Sequence, residues 1–156
     1  MASERSTPLV QVVARNKRAR FDYSVEETFE AGLELVGSEV KSLREGKANL
    51  SDSYAMPERD QLFLHHLNIG PYKAASWLGH APLRPRRLLL HRQEIEKLLG
   101  KVKERGYALI PMQLYFKNGW AKVEIGLARG KTHEDRREDI KERETRRELD
   151  RAMRRR

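Results

Sequence analysis

From Lys131 to Arg156 this chain carries only three sizeable apolar side chains, Ile140, Leu149 and Met153. Ordering a residue costs about 1–2 kcal/mol, and a segment this polar cannot bury enough area to offset that. Any packed core must therefore come from roughly the first 130 residues, enough for one domain. Residues 131–156 are expected to be a basic tail, disordered when alone. The tail still holds good helix formers, with no Gly or Pro beyond Gly130. Asp139→Arg143, Glu142→Arg146 and Asp150→Arg154 are i,i+4 pairs in the favourable order. On a helix at about 100° per residue, Arg136, Arg143, Arg147, Arg151 and Arg154 fall within an arc of about 80°, with Ile140 among them. No apolar heptad argues for a coiled coil. A basic stripe of this kind is suited to folding along a row of phosphates, and a solvated charged helix is the plainer alternative.

Charge points the same way. The chain has 32 Lys+Arg against 23 Asp+Glu, a net charge of +9. That excess favours a polyanionic partner, nucleic acid or an anionic membrane surface. Cysteine is absent, which excludes a disulfide framework and thiolate zinc sites and fits a reducing compartment. No apolar stretch approaches the length of a membrane span, and the N-terminus lacks a signal-peptide pattern. A cytoplasmic protein without a membrane partner is expected.

Residues 1–13 read as a flexible N-terminus with an apolar patch from Leu9 to Val13. Residues 14–130 read as one folded unit. It begins with ARNKRARFDY, where Lys17, Arg18 and Arg20 stand beside Phe21 and Tyr23. Basic residues interleaved with aromatics suit phosphate and base contacts; an ordinary strand with Phe21 in a core suits the pattern as well. SVEETFEAGLEL is expected to be extended on either side of a kink at Gly32. GSEVKSLREGK reads as a short helix with Ser38 as N-cap and Gly46 as its stop. ANLSDSYAM and QLFLHHLNI form a hairpin around a PERD turn. GPYKAASWLGHAPLRPRR reads as a long loop. Ile95, Leu98, Leu99 and Val102 mark a helix ended by Gly106. YALIPMQLYF and WAKVEIGLA make a second hairpin around Lys117-Asn118-Gly119. About six short strands with two or three helices predict a mainly β fold, an antiparallel barrel of the oligonucleotide-binding (OB) type.

No catalytic constellation emerges. There is no H-E-x-x-H, phosphate loop or nucleophile elbow. His65 and His66 are adjacent in a predicted strand, so they face opposite ways. Ser51, Asp52 and Ser53 lack an evident base. Glu30 and Glu39 are carboxylates without a visible partner. No enzyme activity, cofactor, metal or small-molecule substrate is expected.

The segments NKRARFDY, EAGLELVGSEVKSLREGKANLSDSYA, RRLLLHRQEI, LIPMQLYFKNGWAKVEIGLARGK and DRREDIKERE occur here in this order. Together, from about Ala14 to Glu144, they resemble the SsrA-binding protein family, also called small protein B. The resemblance implies an OB-type barrel that binds the tRNA-like domain of transfer-messenger RNA and brings it to stalled ribosomes for trans-translation. It implies a tail that becomes helical in the empty mRNA channel, against small-subunit RNA, and a monomer when free. A general basic OB-fold RNA-binding or RNA-chaperone protein is the alternative. Carried onto this sequence, the resemblance assigns RNA binding to Asn16, Lys17, Arg18, Arg20, Glu30 and Leu89. It assigns the ribosomal decoding site to Asp135, Arg136, Arg137, Arg143, Arg147 and Arg151. The family carries Asp-Lys-Arg where this chain has Asp135-Arg136-Arg137; the middle arginine keeps the charge and changes the donor geometry. Where the family often has an aromatic or histidine, this chain has Glu134.

Overall fold

The computed structural model describes residues 9–72, 79–104, 106–130 and 133–154; side chains are not described for 133–136 and 139. The chain runs β1 (Val10–Arg15), α1 (Ala19–Asp22), β2 (Tyr23–Leu33), α2 (Gly37–Arg44), β3 (Ala48–Asn49), β4 (Tyr54–Glu58), β5 (Gln61–His65), β6 (Asn68–Ile69), β7 (Arg86–Leu89), α3 (Arg92–Val102), β8 (Tyr107–Lys117), β9 (Trp120–Gly130) and α4 (His133–Arg154). All pairings are antiparallel. They return on themselves: β8 pairs β4, then β5, β7, β2, β9 and β8 again. This closed circuit is compatible with the OB-like barrel expected from the sequence. Strand β1 adds to β8 from outside the circuit, and β3 with β6 forms a small separate ribbon. No helix among the described residues is long and apolar enough to cross a membrane.

Alternation along the long strands builds the interior. Phe29, Ala31 and Leu33 of β2 meet Val123, Ile125 and Leu127 of β9, with Leu62, Leu64, Leu88, Leu109 and Leu114 from the other strands. Leu43 of α2 and Leu98 of α3 pack onto the same cluster. Both hairpins use two-residue turns with positive φ at each residue. These are Arg59 (48°) with Asp60 (62°), and Asn118 (50°) with Gly119 (83°). Such mirror-image turns match the strand twist.

Several local expectations change. The first strand begins at Val10, inside the stretch expected to be flexible, because the patch from Leu9 to Val13 pairs along β8. Pro57 lies within β4 opposite Leu62, not in the turn. There is no kink at Gly32; β2 runs through it. A Cβ there would stand 3.1 Å from Leu89 Cβ, so glycine serves a close approach of β7. Arg86 and Arg87 leave the expected loop to start β7; residues 73–78 of that loop lie outside the described residues.

Ser38 does not cap α2: its hydroxyl meets His80 Nδ1 at 2.8 Å, while Glu39 accepts the Val36 N–H at 3.0 Å. Glu39, expected to be isolated, is fully buried and paired with the buried Arg86, with Arg84 bonded to its other oxygen at 2.6 Å. Burial raises the Glu39 pKa, but the two arginines and the Val36 N–H outweigh it and hold the carboxyl below its ordinary range. Arg86 also donates to the carbonyls of Leu67 (2.7 Å) and Pro82 (3.2 Å). This network fixes α2 to the β6–β7 connection.

Candidate nucleic-acid interface

Directly opposite residues in antiparallel strands present side chains on one face. The register therefore sets three rows across the outer surface of the sheet. Val10, Lys117 and Trp120 form one; Val12, Tyr115, Lys122, Gly32 and Leu89 form the next; Arg15, Gln113, Glu124 and Glu30 form the third. At the far end, Lys17 and Arg20 border a groove with Arg15, Gln113 and Glu124. Five of the six expected RNA-binding residues, Asn16, Lys17, Arg20, Glu30 and Leu89, thus lie on or beside one surface made by distant parts of the chain.

Each has a distinct setting. Lys17 and Arg20 are exposed around the buried Ala19, which anchors the four-residue helix α1. Asn16 braces this segment: its backbone N–H reaches Met112 O at 2.8 Å and its Nδ2 donates to Pro111 O at 3.1 Å. Its amide is thus engaged in holding the basic turn against β8. Leu89 is 46% exposed, an apolar element open to contact.

Glu30 accepts from the Tyr115 hydroxyl at 2.5 Å and from Lys117 Nζ at 3.3 Å. The tyrosine bond, with Lys117 and Lys122 assisting against partial burial, holds the Glu30 carboxyl below its ordinary range. Burial, then the Glu30 hydrogen bond, pushes the Tyr115 hydroxyl above its own. The Glu30 carboxylate thereby orients a lysine and a tyrosine on this face. Gln113 Nε2 donates to Glu124 at 3.0 Å, extending this polar lattice toward Arg20.

Arg18 departs from the group. It faces a separate cleft lined by Asp22, Tyr23, Ser51, Asp52, Ser53 and Tyr54, and pairs with Asp22 at 3.8 Å. Beside that cleft, Tyr54 lies 5.6 Å from the His65 ring and 5.4 Å from the His66 ring. The expectation of opposite-facing histidines fails because His66 has φ 61°, which breaks the strand alternation. Ser53 is buried and donates to Leu50 O at 2.6 Å, a structural use.

Helix α4 occupies the segment for which the sequence predicts disorder in isolation. The structure gives it helical geometry without burying it: every described side chain is exposed, Arg137, Arg143, Arg147 and Arg151 included. The side chains of Asp135 and Arg136 lie outside the described residues. Arg143 places its guanidinium 5.2 Å from the Phe21 ring centroid, a contact between the tail and α1.

The pattern of the SmpB family, described as SmpB protein, matches residues 13–155. The chain belongs to the SmpB family. A Myxococcus xanthus (strain DK1622) relative named SsrA-binding protein is 68% identical over 97% of this chain and 93% of its own length. A Geobacillus thermodenitrificans (strain NG80-2) relative of the same name is 55% identical over 92% and 93%. A solved chain from the structure described as "tmRNA-SmpB: a journey to the center of the bacterial ribosome" aligns with a TM-score of 0.65 at 47% identity. It covers 81% of this chain and 93% of the solved one. The SmpB match takes in both the sheet face and α4.

Reading the sequence missed Tyr115, Lys117, Lys122, Gln113 and Glu124 as parts of this face. The signal was present in outline, since these residues occupy the alternate positions of the predicted second hairpin opposite its apolar set. Only the register, which aligns β9 with β2, tells which of them adjoin Glu30.

Proposed function

We propose that this chain is an RNA-binding adaptor that binds the tRNA-like domain of transfer-messenger RNA and delivers it to stalled ribosomes for trans-translation. The observation that carries this is a family match over residues 13–155, which includes the basic sheet face and the arginine-striped helix. Relatives are named for SsrA binding, and the solved neighbour is described in terms of tmRNA and the bacterial ribosome.

Within this reading the two parts act separately. Lys17 and Arg20 neutralise phosphates, Asn16 holds their turn in place, and Leu89 supplies an apolar contact. Glu30 presets Lys117 as a donor and is itself held by the Tyr115 hydroxyl, so this ordering is settled before RNA arrives. Arg18 contacts RNA from the neighbouring cleft. The tail, largely unstructured in the free protein, takes its helical form in the vacant mRNA channel. There Asp135, Arg136, Arg137, Arg143, Arg147 and Arg151 meet small-subunit RNA. The adaptor works as a cytoplasmic monomer and performs no chemistry of its own.

Competition tests the reading. Labelled tRNA-like domain bound to the full chain should resist a large excess of bulk tRNA at moderate salt. Equal displacement by bulk tRNA, with uniformly steep salt dependence, would assign the alternative, general basic RNA binding.

A further inference from the structure

Trp120 is 73% exposed, on a β-sheet that otherwise hides most of its large apolar groups. It stands at the tip of the β8–β9 hairpin, directly opposite Lys117. Its row neighbours the one that holds Tyr115, Lys122 and Leu89, so it lies on the same outer face as Glu30. Among the described residues, no ring stacks on it.

The tip is braced. The Leu9 N–H donates to Asn118 Oδ1 at 3.2 Å, and the Asn118 N–H donates to Leu9 O at 3.0 Å. The positive φ values of Asn118 and Gly119 set a tight turn between the two strands. An indole on such a mount loses little freedom on binding, and Lys117 and Lys122 supply positive charge beside it. A π face flanked by cations on an antiparallel sheet is suited to an unpaired nucleobase, whose phosphate the lysines attract.

We propose that Trp120 stacks on an unpaired base of the bound RNA, so that the RNA footprint continues past Lys117 to the hairpin tip. This rests on the reading of the outer face as the RNA surface. The occupant is RNA and not an apolar protein segment because the tryptophan is bordered by lysines and is continuous with the Lys17–Arg20 end through the Gln113–Glu124 row.

The test uses full-length protein carrying Trp77→Phe, which leaves Trp120 as the one tryptophan. Titration with the tRNA-like domain of transfer-messenger RNA should quench Trp120 emission. Trp120→Ala should weaken binding about 5- to 150-fold, the range given by stacking of a single base, with the salt dependence unchanged. Trp120→Phe should retain most of the affinity. In parallel, Lys17→Ala/Arg20→Ala should weaken binding and flatten the salt dependence. If that double variant acts, Trp120→Ala leaves affinity unaltered and the Trp77→Phe protein shows no quenching, the stacking proposal is overturned while the face stands. If neither set acts, the reading of the face itself falls. Quenching by a ribosomal protein but not by the RNA would also overturn the proposal.

Discussion

The barrel and the tail draw on the same charged residues and use them in opposite ways. In the barrel, Arg86 is fully buried, locked to Glu39 and to two backbone carbonyls. On α4, Arg147 and Arg151 stand in solvent. Arg86 is committed to internal partners; Arg147 and Arg151 are exposed on the helix. A buried pair fixes geometry, and removing one member strands its partner in a low-dielectric site. Exposed pairs on a helix add only tenths of a kcal/mol, so the tail gains little from its own charges and remains available for an outside polyanion.

The strongest way to break this contrast is to remove the tail. Deleting residues 131–156 is expected to leave binding of the tRNA-like domain nearly intact in a gel-shift assay and to abolish rescue of stalled ribosomes. Loss of RNA binding on truncation would show that the two parts do not act separately.

Next in size, Arg86→Ala should cost about 3–5 kcal/mol in urea unfolding, by leaving Glu39 buried and unpaired. Arg151→Ala should fall within about 0.5 kcal/mol of the parent. Comparable losses from both would erase the distinction between committed and free arginines.

Acid titration sharpens the same point. The folded-state pKa of Glu39 lies below its unfolded value, so its contribution is complete above the ordinary glutamate range, about 4.3. That contribution is lost as pH falls through the lower folded value. Glu39→Gln should therefore be less stable than the parent near neutral pH, and the gap between them should close toward strong acid. A gap that stayed constant with pH would mean that ionisation of Glu39 is not what the network depends on.

The smallest loss expected among the barrel variants is that of Tyr115→Phe, which removes one donor to Glu30. It should lower stability by about 1 kcal/mol. The Glu30 carboxyl should titrate closer to its ordinary range by NMR.

Much of the barrel was legible from local signals. Asn118-Gly119 announced its hairpin, and the spacing of Ile95, Leu98, Leu99 and Val102 announced α3. What escaped was set by tertiary contacts. Arg86 and Arg87 sit behind prolines and read as the end of a loop, yet they open a strand because Leu88 faces the core and Arg86 finds Glu39. Glu39 meets an arginine 47 positions away, which no local pattern records. Gly32 looked like a bend because glycine commonly marks one; here it makes room for Leu89. Of the site, Lys17, Arg18 and Arg20 beside Phe21 and Tyr23 were readable as a basic and aromatic pattern suited to RNA. Their division, with Arg18 turned to another cleft, depends on the one-turn helix α1.

Strand β9 ends at Gly130, and that residue pairs with Tyr23, immediately after α1; α4 begins at His133. The root of the arginine helix is thereby tied to the corner that carries the Lys17–Arg20 turn. At about 1.5 Å per residue, the 22 residues of α4 measure about 33 Å when helical. On the proposed function, a polynucleotide held at that corner would set how far away the tip of α4 can reach a second one, and would give the tip a high effective concentration there.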